Sequence, residues 1–267
     1  MLPILLAFAI FLPWGLSFPV IPKALQDDLN FFQDYFHQFF FTKEESQKYS
    51  LEDQLRFLQH FFRLEETGWL DEPTKDLIRQ PRCGVPDIAD YSFFPGSPKI
   101  ENNHVTYSIY NYPVGIKYEI VEKIIWKAIK IWSRVTPLKF RRVYTGNSDI
   151  DFAFLRGVHG DGFPFDGKGK GKGNILAHAF APNPYYQGMV HFDNDEEWSY
   201  SYKGINLFLV AVHEIGHALG LRHSQDPNSI MYPNYRYQDT ENFRLSDDDI
   251  KGIRVLYNSE YESQRRF

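Results

Sequence analysis

A spaced run of five residues, H-E-x-x-H-x-x-G-x-x-H at positions 213–223, constrains the fold more than any other part of this chain. Residues four apart share one face of a helix, so His213 and His217 can turn their imidazoles to one metal ion, with Glu214 beside them. Gly220 can take the left-handed conformation that ends a helix, which lets His223 supply a third nitrogen. Three neutral imidazoles leave one position of a zinc ion open, as catalytic zinc requires. A helix with two unrelated surface histidines is the weaker alternative, because five fixed positions must then coincide by chance.

Several further motifs surround this run. The segment S-I-M-Y-P at 229–233 follows it, and Ser224 directly follows the third histidine. Upstream, the chain carries P-R-C-G-V-P-D at 81–87, P-F-D-G at 164–167, H-A-F at 178–180 and H-F-D at 191–193. Together these motifs resemble the matrixins, the matrix metalloproteinases of the metzincin class, in which a turn with a methionine lies beneath the zinc. The resemblance covers nearly the whole chain and is strongest to the matrilysin type, which lacks a haemopexin domain.

This resemblance implies a secreted zinc-dependent endopeptidase, made as a latent zymogen, that hydrolyses extracellular matrix and other extracellular proteins. In such an enzyme metal-activated water attacks the peptide bond and Glu214 acts as the general base. Two alternatives stay open: a catalytically silent secreted zinc-binding module, and a non-peptidase hydrolase with the same ligands. The carboxylate of Glu214 argues against the first, and the cysteine motif at 81–87 argues against the second.

The expected fold is an α+β metzincin catalytic domain at 91–258, with a twisted, mostly parallel five-stranded sheet and three helices. A propeptide at 18–90, here called the prosegment, is expected to form a small three-helix prodomain. Hydrophobic periodicity places the prodomain helices at 25–41, 51–64 and 70–78. In the catalytic domain it places strands at 104–110, 138–143, 150–155 and around 178 and 191, and helices at 118–132, 206–219 and 247–257. The 43% hydrophobic content of the 267 residues is ample for packed cores and excludes a disordered chain.

Both ends of the chain are expected to lie outside the folded domains. Residues 1–17 are almost wholly apolar and end in small residues, which predicts a secretory signal peptide and an extracellular protein. A membrane anchor is the alternative, but the run is shorter than the roughly 20 residues of a spanning helix, and Pro13 interrupts it. Residues 259–267 are polar and predict a flexible tail. The proline-containing segment 89–100 is expected to be the linker that is cut on activation.

The chain has a single cysteine, Cys83, which cannot form an internal disulfide. It lies between Pro81 and Pro86, in a segment expected to be extended and accessible, and a thiolate is a strong zinc ligand. A buried inert thiol is the alternative. The resemblance implies that Cys83 fills the open zinc position and keeps the enzyme latent, with Arg82 paired to Asp87.

A second set of potential metal ligands precedes the helix predicted at 206–219, here called the zinc helix. Three nitrogens and one carboxylate form a closed set suited to a structural zinc, from His159, Asp161, His178 and His191. The resemblance also implies a structural calcium held by oxygen ligands, from Asp166, the Gly167 carbonyl, Asp193 and Glu196. A second calcium is not expected, since Met189 stands where the family has an acid, and Asp149 is then left with only water. The basic loop at 167–174 is interpreted as a flexible insertion and not as a nucleic-acid site.

The substrate is expected to bind as an added antiparallel strand along residues 176–181. By resemblance, an S1′ pocket lies behind the zinc helix and is lined by Leu176, Ala177, Leu209, Pro233 and Tyr235. Leu209 is neither charged nor aromatic, so the pocket is expected to accept medium to large apolar side chains.

The expected partners are matrix proteins and tissue inhibitors of metalloproteinases, with no nucleic acid and no membrane span, and the protein is expected to be a monomer. Without a haemopexin-like repeat, native fibrillar collagen is expected to resist cleavage.

Overall fold

The computed structural model describes residues 22–88, 98–169, 174–182 and 188–257. The predicted signal peptide at 1–17 and tail at 259–267 lie outside these ranges, as do most of the predicted linker and residues 170–173 of the basic loop. Among the helices within these ranges, none combines the length and the hydropathy that a membrane span needs.

The described part of the prodomain contains the three predicted helices and one additional turn of helix. The four are α1 Lys23–Phe39, α2 Lys43–Ser46, α3 Leu51–Phe61 and α4 Glu72–Ile78. The short α2 was not predicted, because one turn is too short to show a hydrophobic period. It begins with a capping box in which Thr42 and Glu45 exchange hydrogen bonds, and Ser50 and Asp53 do the same at the start of α3.

Aromatic side chains make up most of the prodomain core. Helix α1 buries Phe32, Tyr35, Phe36 and Phe39. The rings pack in direct contact, as where Phe36 and Phe40 stack with centroids 5.3 Å apart. The same buried cluster continues into the second half of the chain through Phe165, Ile175 and Tyr232. The prodomain and the catalytic domain therefore share one apolar interface.

One six-stranded sheet includes residues of both domains. Its strands are β1 Arg82–Cys83, β2 His104–Ile109, β3 Lys139–Arg142, β4 Ile150–Leu155, β5 Ile175–Ala179 and β6 Met189–Asp193. They lie in the order β1-β5-β6-β4-β2-β3, and only β5 and β6 pair in antiparallel fashion. Strands β2 to β6 confirm the predicted mostly parallel five-stranded sheet. The sixth strand, β1, comes from the prosegment and was not predicted.

Three helices accompany the sheet, as predicted. They are α5 Tyr118–Ser133, α6 Leu207–Ala218 and α7 Asp247–Tyr257. Helix α6 is buried over its whole length and packs against α5 and β5, so it lies in the centre of the catalytic core. The indole Nε1 of Trp132 in α5 donates a hydrogen bond of 2.8 Å to the carbonyl oxygen of Val212 in α6. A two-stranded parallel sheet that was not predicted, β7 Trp198–Ser199 with β8 Ile205–Asn206, leads into α6.

Candidate active site

Helix α6 carries three of the predicted site residues, His213, Glu214 and His217. The side chain of Asn206 caps the start of this helix by accepting hydrogen bonds from two N–H groups of the first turn. The helix ends just before Gly220, which has a φ of +103°. A Cβ at position 220 would lie 2.1 Å from a backbone carbonyl oxygen of the segment before β2, so this turn requires glycine.

The turn at Gly220 brings His223 to the two helix histidines. Nε2 of His213 lies 3.3 Å from Nε2 of His223 and 3.1 Å from Nε2 of His217. On the other side of the rings, Nδ1 of His213 contacts the Ile230 carbonyl oxygen at 2.6 Å, and Nδ1 of His217 contacts a carbonyl oxygen at 2.8 Å. These bonds place the protons of both rings on Nδ1, so the Nε2 lone pairs converge. Burial lowers the pKa of His213 to about 4, so the ring is neutral at pH 7. Converging neutral imidazoles are the donors that zinc takes.

The methionine turn lies directly under α6. A Cβ at Gly216 would lie 2.4 Å from Sδ of Met231 and 3.0 Å from the ring of Trp132, so the helix can approach the turn only because position 216 is glycine. Asp249 of α7 secures the turn by accepting a hydrogen bond of 3.1 Å from the Ile230 N–H. Gly216 and Asp249 were missed by sequence reasoning. Only the position of Gly216 inside the histidine run could have indicated a close contact.

The prosegment strand β1 runs through a slot between β5 and residues 233–235. On the β5 side, the Gly84 N–H donates to the Ala177 carbonyl oxygen at 2.7 Å. On the other side, the Cys83 N–H donates to the Pro233 carbonyl oxygen at 3.0 Å, and the Tyr235 N–H donates to the prosegment at 2.7 Å. The ligand atoms of Cys83 and the three site histidines all lie within 4.8 Å of one another. The buried thiol therefore faces the point where the Nε2 atoms converge.

A buried ion pair holds the conformation of this segment. Nη2 of Arg82 lies 2.7 Å from Oδ1 of Asp87, and Nη1 lies 3.0 Å from Oδ2. Nη1 also donates to the hydroxyl of Tyr35 in α1, and the guanidinium lies 3.5 Å from the ring centre of Phe39. Burial raises the pKa of Asp87, although Arg82 opposes that effect. Two residues of the prodomain core thus help to orient the arginine next to the cysteine.

Glu214 is fully buried, and apart from its interaction with the Cys83 thiol neither of its carboxylate oxygens has a hydrogen-bond partner in the part of the chain that the structure describes. Burial raises the pKa of Glu214 to about 8, an effect that the adjacent Cys83 thiol partly offsets. Burial and the charge of Glu214 in turn raise the pKa of Cys83. A buried carboxyl group without a fixed partner, beside converging ligand nitrogens, is free to exchange a proton with a molecule that enters the cleft.

The second predicted metal set also comes together. Oδ2 of Asp161 lies 2.8 Å from Nε2 of His159, 2.8 Å from Nε2 of His178 and 2.8 Å from Nδ1 of His191. Burial lowers the pKa of His191 to about 4, which favours its neutral, metal-binding form. Three nitrogens and one carboxylate around a single point are a closed set that fits a structural zinc ion.

The predicted calcium residues lie near one another but are less tightly gathered. Each of Asp166, Asp193 and Glu196 has one buried carboxylate oxygen without a hydrogen-bond partner among the described residues. Burial raises the pKa of Asp193 to about 6, and burial with the neighbouring carboxylates raises that of Glu196 to about 7. The backbone N–H of Gly167 hydrogen-bonds to Asp193. In contrast to the two histidine sets, the three carboxylates do not form a described group whose ligand atoms all lie within 4.8 Å. Unpartnered buried carboxylates that repel each other nevertheless fit a hard cation.

Asp149 is not left with water alone, as the sequence suggested. Its Oδ2 accepts hydrogen bonds of 2.6 Å from both the backbone N–H and the hydroxyl of Thr106 in β2. The two residues are far apart in the chain, so no local pattern could have indicated this pair. The two hydrogen bonds satisfy one of the two carboxylate oxygens of Asp149.

Behind Glu214 lies a narrow cavity of ≈ 30 Å³, which has room for about two water molecules. Four of the five predicted pocket residues line it, namely Leu176, Leu209, Pro233 and Tyr235. The fifth, Ala177, does not, because it follows Leu176 in β5 and its side chain points to the opposite face of the strand. The wall also includes residues that sequence reasoning missed: Val210, Ile230, Tyr232, Arg236 and Gln238. Three of them adjoin predicted pocket residues in the sequence: Val210 follows Leu209, Tyr232 precedes Pro233 and Arg236 follows Tyr235. This adjacency was the available signal.

Comparison of the sequence with known proteins identifies the family. The profile of the matrixin peptidases matches residues 99–258, which carry the zinc helix and both histidine sets. The chain belongs to the matrixin family. Human matrix metalloproteinase-26 is 48% identical over 260 residues, which cover 97% of this chain and 98% of the relative. Human matrilysin is 46% identical over 236 residues, or 88% and 87% of the two chains. Macrophage metalloelastase of Oryctolagus cuniculus is 46% identical over 247 residues, which cover 90% of this chain and 52% of the relative.

As a matrixin, the protein is a zinc metalloendopeptidase that acts on the extracellular matrix, and it has a metzincin fold. The matrilysin-type assignment is confirmed by alignments over nearly the full length of matrix metalloproteinase-26 and matrilysin. Membership of a peptidase family disfavours both alternatives raised by the sequence, the silent zinc-binding module and the non-peptidase hydrolase.

Proposed function

We propose that this matrixin is secreted as a latent zymogen and, once its prosegment is removed, cleaves extracellular proteins with Glu214 as the general base. The observation that carries the proposal is the buried Glu214 carboxylate, which has no hydrogen-bond partner in the described part of the catalytic domain, beside three converging Nε2 atoms. A zinc ion held by His213, His217 and His223 would polarise the scissile carbonyl and acidify the attacking water. Glu214 takes the proton of that water and passes it to the nitrogen of the departing amine, so no covalent intermediate with the protein forms.

The cleft of the latent form supports this role for Glu214. Burial raises the pKa of Glu214 to about 8. When β1 leaves the slot, water reaches the carboxyl group and stabilises its charged form, which lowers the pKa. Opening of the cleft would therefore favour the ionised form of the base, which the reaction needs. Activation therefore exposes the ligands and prepares the base at the same time.

Cys83 would account for latency, since its thiolate is a strong zinc ligand and its side chain points at the shared ligand point. Arg82 and Asp87 would hold the cysteine in that orientation. The proposed segments are a signal peptide at 1–17, a prosegment at 18–90, a catalytic domain at 91–258 and a flexible tail at 259–267. The enzyme would act as a monomer, and tissue inhibitors of metalloproteinases would compete for the open cleft.

Substrate recognition would use the slot that β1 occupies in the latent form. The edge of β5 that β1 covers in the latent form offers backbone groups such as the Ala177 carbonyl, which accepts a hydrogen bond from the prosegment. An extended substrate can replace those bonds as an antiparallel strand, whereas β1 lies parallel to β5. Cys83 forms part of the wall of the cavity behind Glu214, so departure of the prosegment would open this cavity to the side chain that follows the scissile bond. Leu176 and Leu209 in its wall favour medium to large apolar side chains.

The remaining metal residues would have structural roles. His159, Asp161, His178 and His191 would bind a second zinc ion that links the loop before β5 to strands β5 and β6. Asp166, Asp193 and Glu196, with backbone oxygen from the Gly167 loop, would bind calcium. Both ions would stabilise the strand that receives the substrate and would leave the chemistry to Glu214.

A peptide-library cleavage assay on the protein after removal of residues up to 90 tests the proposal. The expected result is cleavage on the amino side of Leu, Ile or Met, lost on chelation and restored by zinc. A chain that cleaves no peptide while it holds zinc at full occupancy would refute the proposed activity.

A further inference from the structure

The side chain of Asn234 lies in the wall of the slot that the prosegment fills, and it is 2% exposed. Its Nδ2 donates a hydrogen bond of 2.9 Å to the carbonyl oxygen of Leu77, near the end of the prosegment helix α4. Its Oδ1 is buried and has no hydrogen-bond partner among the residues that the structure describes. Departure of the prosegment frees the donor, so the carboxamide can then offer both a donor and an acceptor to a substrate.

The catalytic domain itself fixes the segment that carries Asn234. The hydroxyl of Tyr235 accepts a hydrogen bond of 3.0 Å from the N–H of Asn206 at the start of α6. On the other side, the Tyr232 N–H donates to the Ser229 carbonyl oxygen at 3.2 Å within the methionine turn. Neither bond involves the prosegment, so Asn234 keeps its place when the slot opens.

The prosegment shows how a chain in the slot pairs with Asn234. Arg82 lies opposite Asn234 in an antiparallel pair. The Pro233 carbonyl oxygen and the Tyr235 N–H, on either side of Asn234, bond to the prosegment at 3.0 and 2.7 Å. Because β1 is parallel to β5, a substrate that is antiparallel to β5 runs parallel to residues 233–235. In a parallel pair the same two backbone groups bond to the N–H and the carbonyl of one substrate residue.

That substrate residue is the second one after the scissile bond, if the substrate binds in the slot as proposed above. Successive side chains of an extended chain point to opposite faces, and paired residues share a face. In the latent form the side chains of Arg82 and Asn234 both point to the prodomain, where they contact Tyr35 and Leu77. The residue directly after the scissile bond sends its side chain the other way, into the cavity. The next side chain therefore lies beside the carboxamide of Asn234.

We propose that Asn234 is a specificity-determining residue that selects a carboxamide side chain, glutamine or asparagine, at this second position. Two carboxamides side by side form a cyclic pair, in which Nδ2 of Asn234 donates to the substrate oxygen and Oδ1 accepts from the substrate nitrogen. An apolar side chain would leave both groups without a partner, a carboxylate could satisfy only the donor, and an ammonium group only the acceptor. Arg82 leaves Oδ1 unpartnered in the latent form because its guanidinium is held by Asp87 and Tyr35.

Cleavage of two paired peptides by the activated enzyme tests this proposal. Both peptides have leucine directly after the scissile bond, and the next residue is glutamine in one and methionine in the other. Methionine has a similar length and no hydrogen-bond donor. The parent should cleave the glutamine peptide with a kcat/KM about five- to tenfold higher, as expected for two net hydrogen bonds at a partly hydrated site. Asn234→Leu should abolish this preference, whereas the matched control Asn242→Leu, an exposed asparagine outside the slot, should keep it.

Asn234→Asp separates a direct contact from a structural role. Its carboxylate offers only acceptors, so this variant should prefer lysine over glutamine at the second position. General damage to the slot would lower the cleavage of all peptides and would not exchange one preference for another. Equal cleavage of the glutamine and methionine peptides by the parent, or an unchanged preference in Asn234→Leu, would overturn the assignment and leave the proposed peptidase activity standing. A parent that cleaves neither peptide would overturn both.

Discussion

Oδ1 of Asp87 lies 2.8 Å from Nδ1 of His223, and both side chains are fully buried. The two atoms are in close contact, although Nδ1 of His223 makes no well-aligned hydrogen bond within the described residues. A carboxylate behind the second nitrogen of a metal-binding histidine orients the ring and makes it a stronger ligand. The prosegment thus approaches the metal centre at two places, through the thiol of Cys83 and through this carboxylate.

Asp87→Asn should speed the loss of zinc from the zymogen, because the amide keeps the shape of the side chain and removes its charge. Loss of an outer partner of a metal-binding histidine commonly costs about 10- to 100-fold in metal affinity. Transfer of zinc to a colorimetric chelator measures the rate. Asp76→Asn, an exposed residue of α4, is the matched control and should behave like the parent.

Adding Asp87→Asn to a Cys83→Ser background separates the effect of the carboxylate on the metal site from that of the thiol. There the thiol is absent, so a faster loss of zinc on adding Asp87→Asn reports on His223 alone. If adding Asp87→Asn changes the rate of zinc loss by less than about twofold in both backgrounds, Asp87 serves only to pair with Arg82.

Cys83→Ser alone should give a zymogen that is partly active with its prosegment still attached. A hydroxyl is a far poorer zinc ligand than a thiolate, so water can compete for the position that Cys83 faces. Turnover of a fluorogenic peptide, together with mass analysis of the intact chain, measures this activity. Complete latency of the variant would mean that β1 blocks the cleft by bulk alone.

Calcium should stabilise the protein more at pH 8 than at pH 5. Burial and the nearby carboxylates raise the pKa of Glu196 to about 7, above its unfolded value of about 4.3. Between these two values the folded state binds more protons, so stability without calcium falls as the pH rises through that window. A bound cation removes the repulsion that causes this loss.

Thermal unfolding with and without calcium, at equal zinc content, measures the effect. At pH 8, calcium at about 100 times its Kd contributes about 2.7 kcal/mol, or roughly 5 to 10 °C in Tm. Glu196→Gln should lose most of this difference between the two pH values, whereas Glu241→Gln, an exposed residue, should keep it. Equal calcium shifts at both pH values would argue against a carboxylate site at Glu196.

Short-range patterns predicted the elements of this fold better than they predicted its contacts. The spacing from His213 to His223 predicted a helix, a turn and a histidine cluster, because all three depend on neighbours within a few residues. The contact between Asp87 and His223 joins segments far apart in the sequence, and neither residue carries a local signal of it. The bond between Thr106 and Asp149 was missed for the same reason. Strand β1 was missed because two residues are too few to show a period.

Replacement of Glu214 by alanine tests the central claim most directly. The three histidines remain, so the activated Glu214→Ala enzyme should hold as much zinc as the parent, and metal analysis checks this. Loss of the base should lower kcat by about 10²- to 10⁴-fold, while an exposed control, Glu241→Ala, leaves kcat unchanged. Peptide hydrolysis within about tenfold of the parent at equal zinc content would contradict a proton transfer through Glu214.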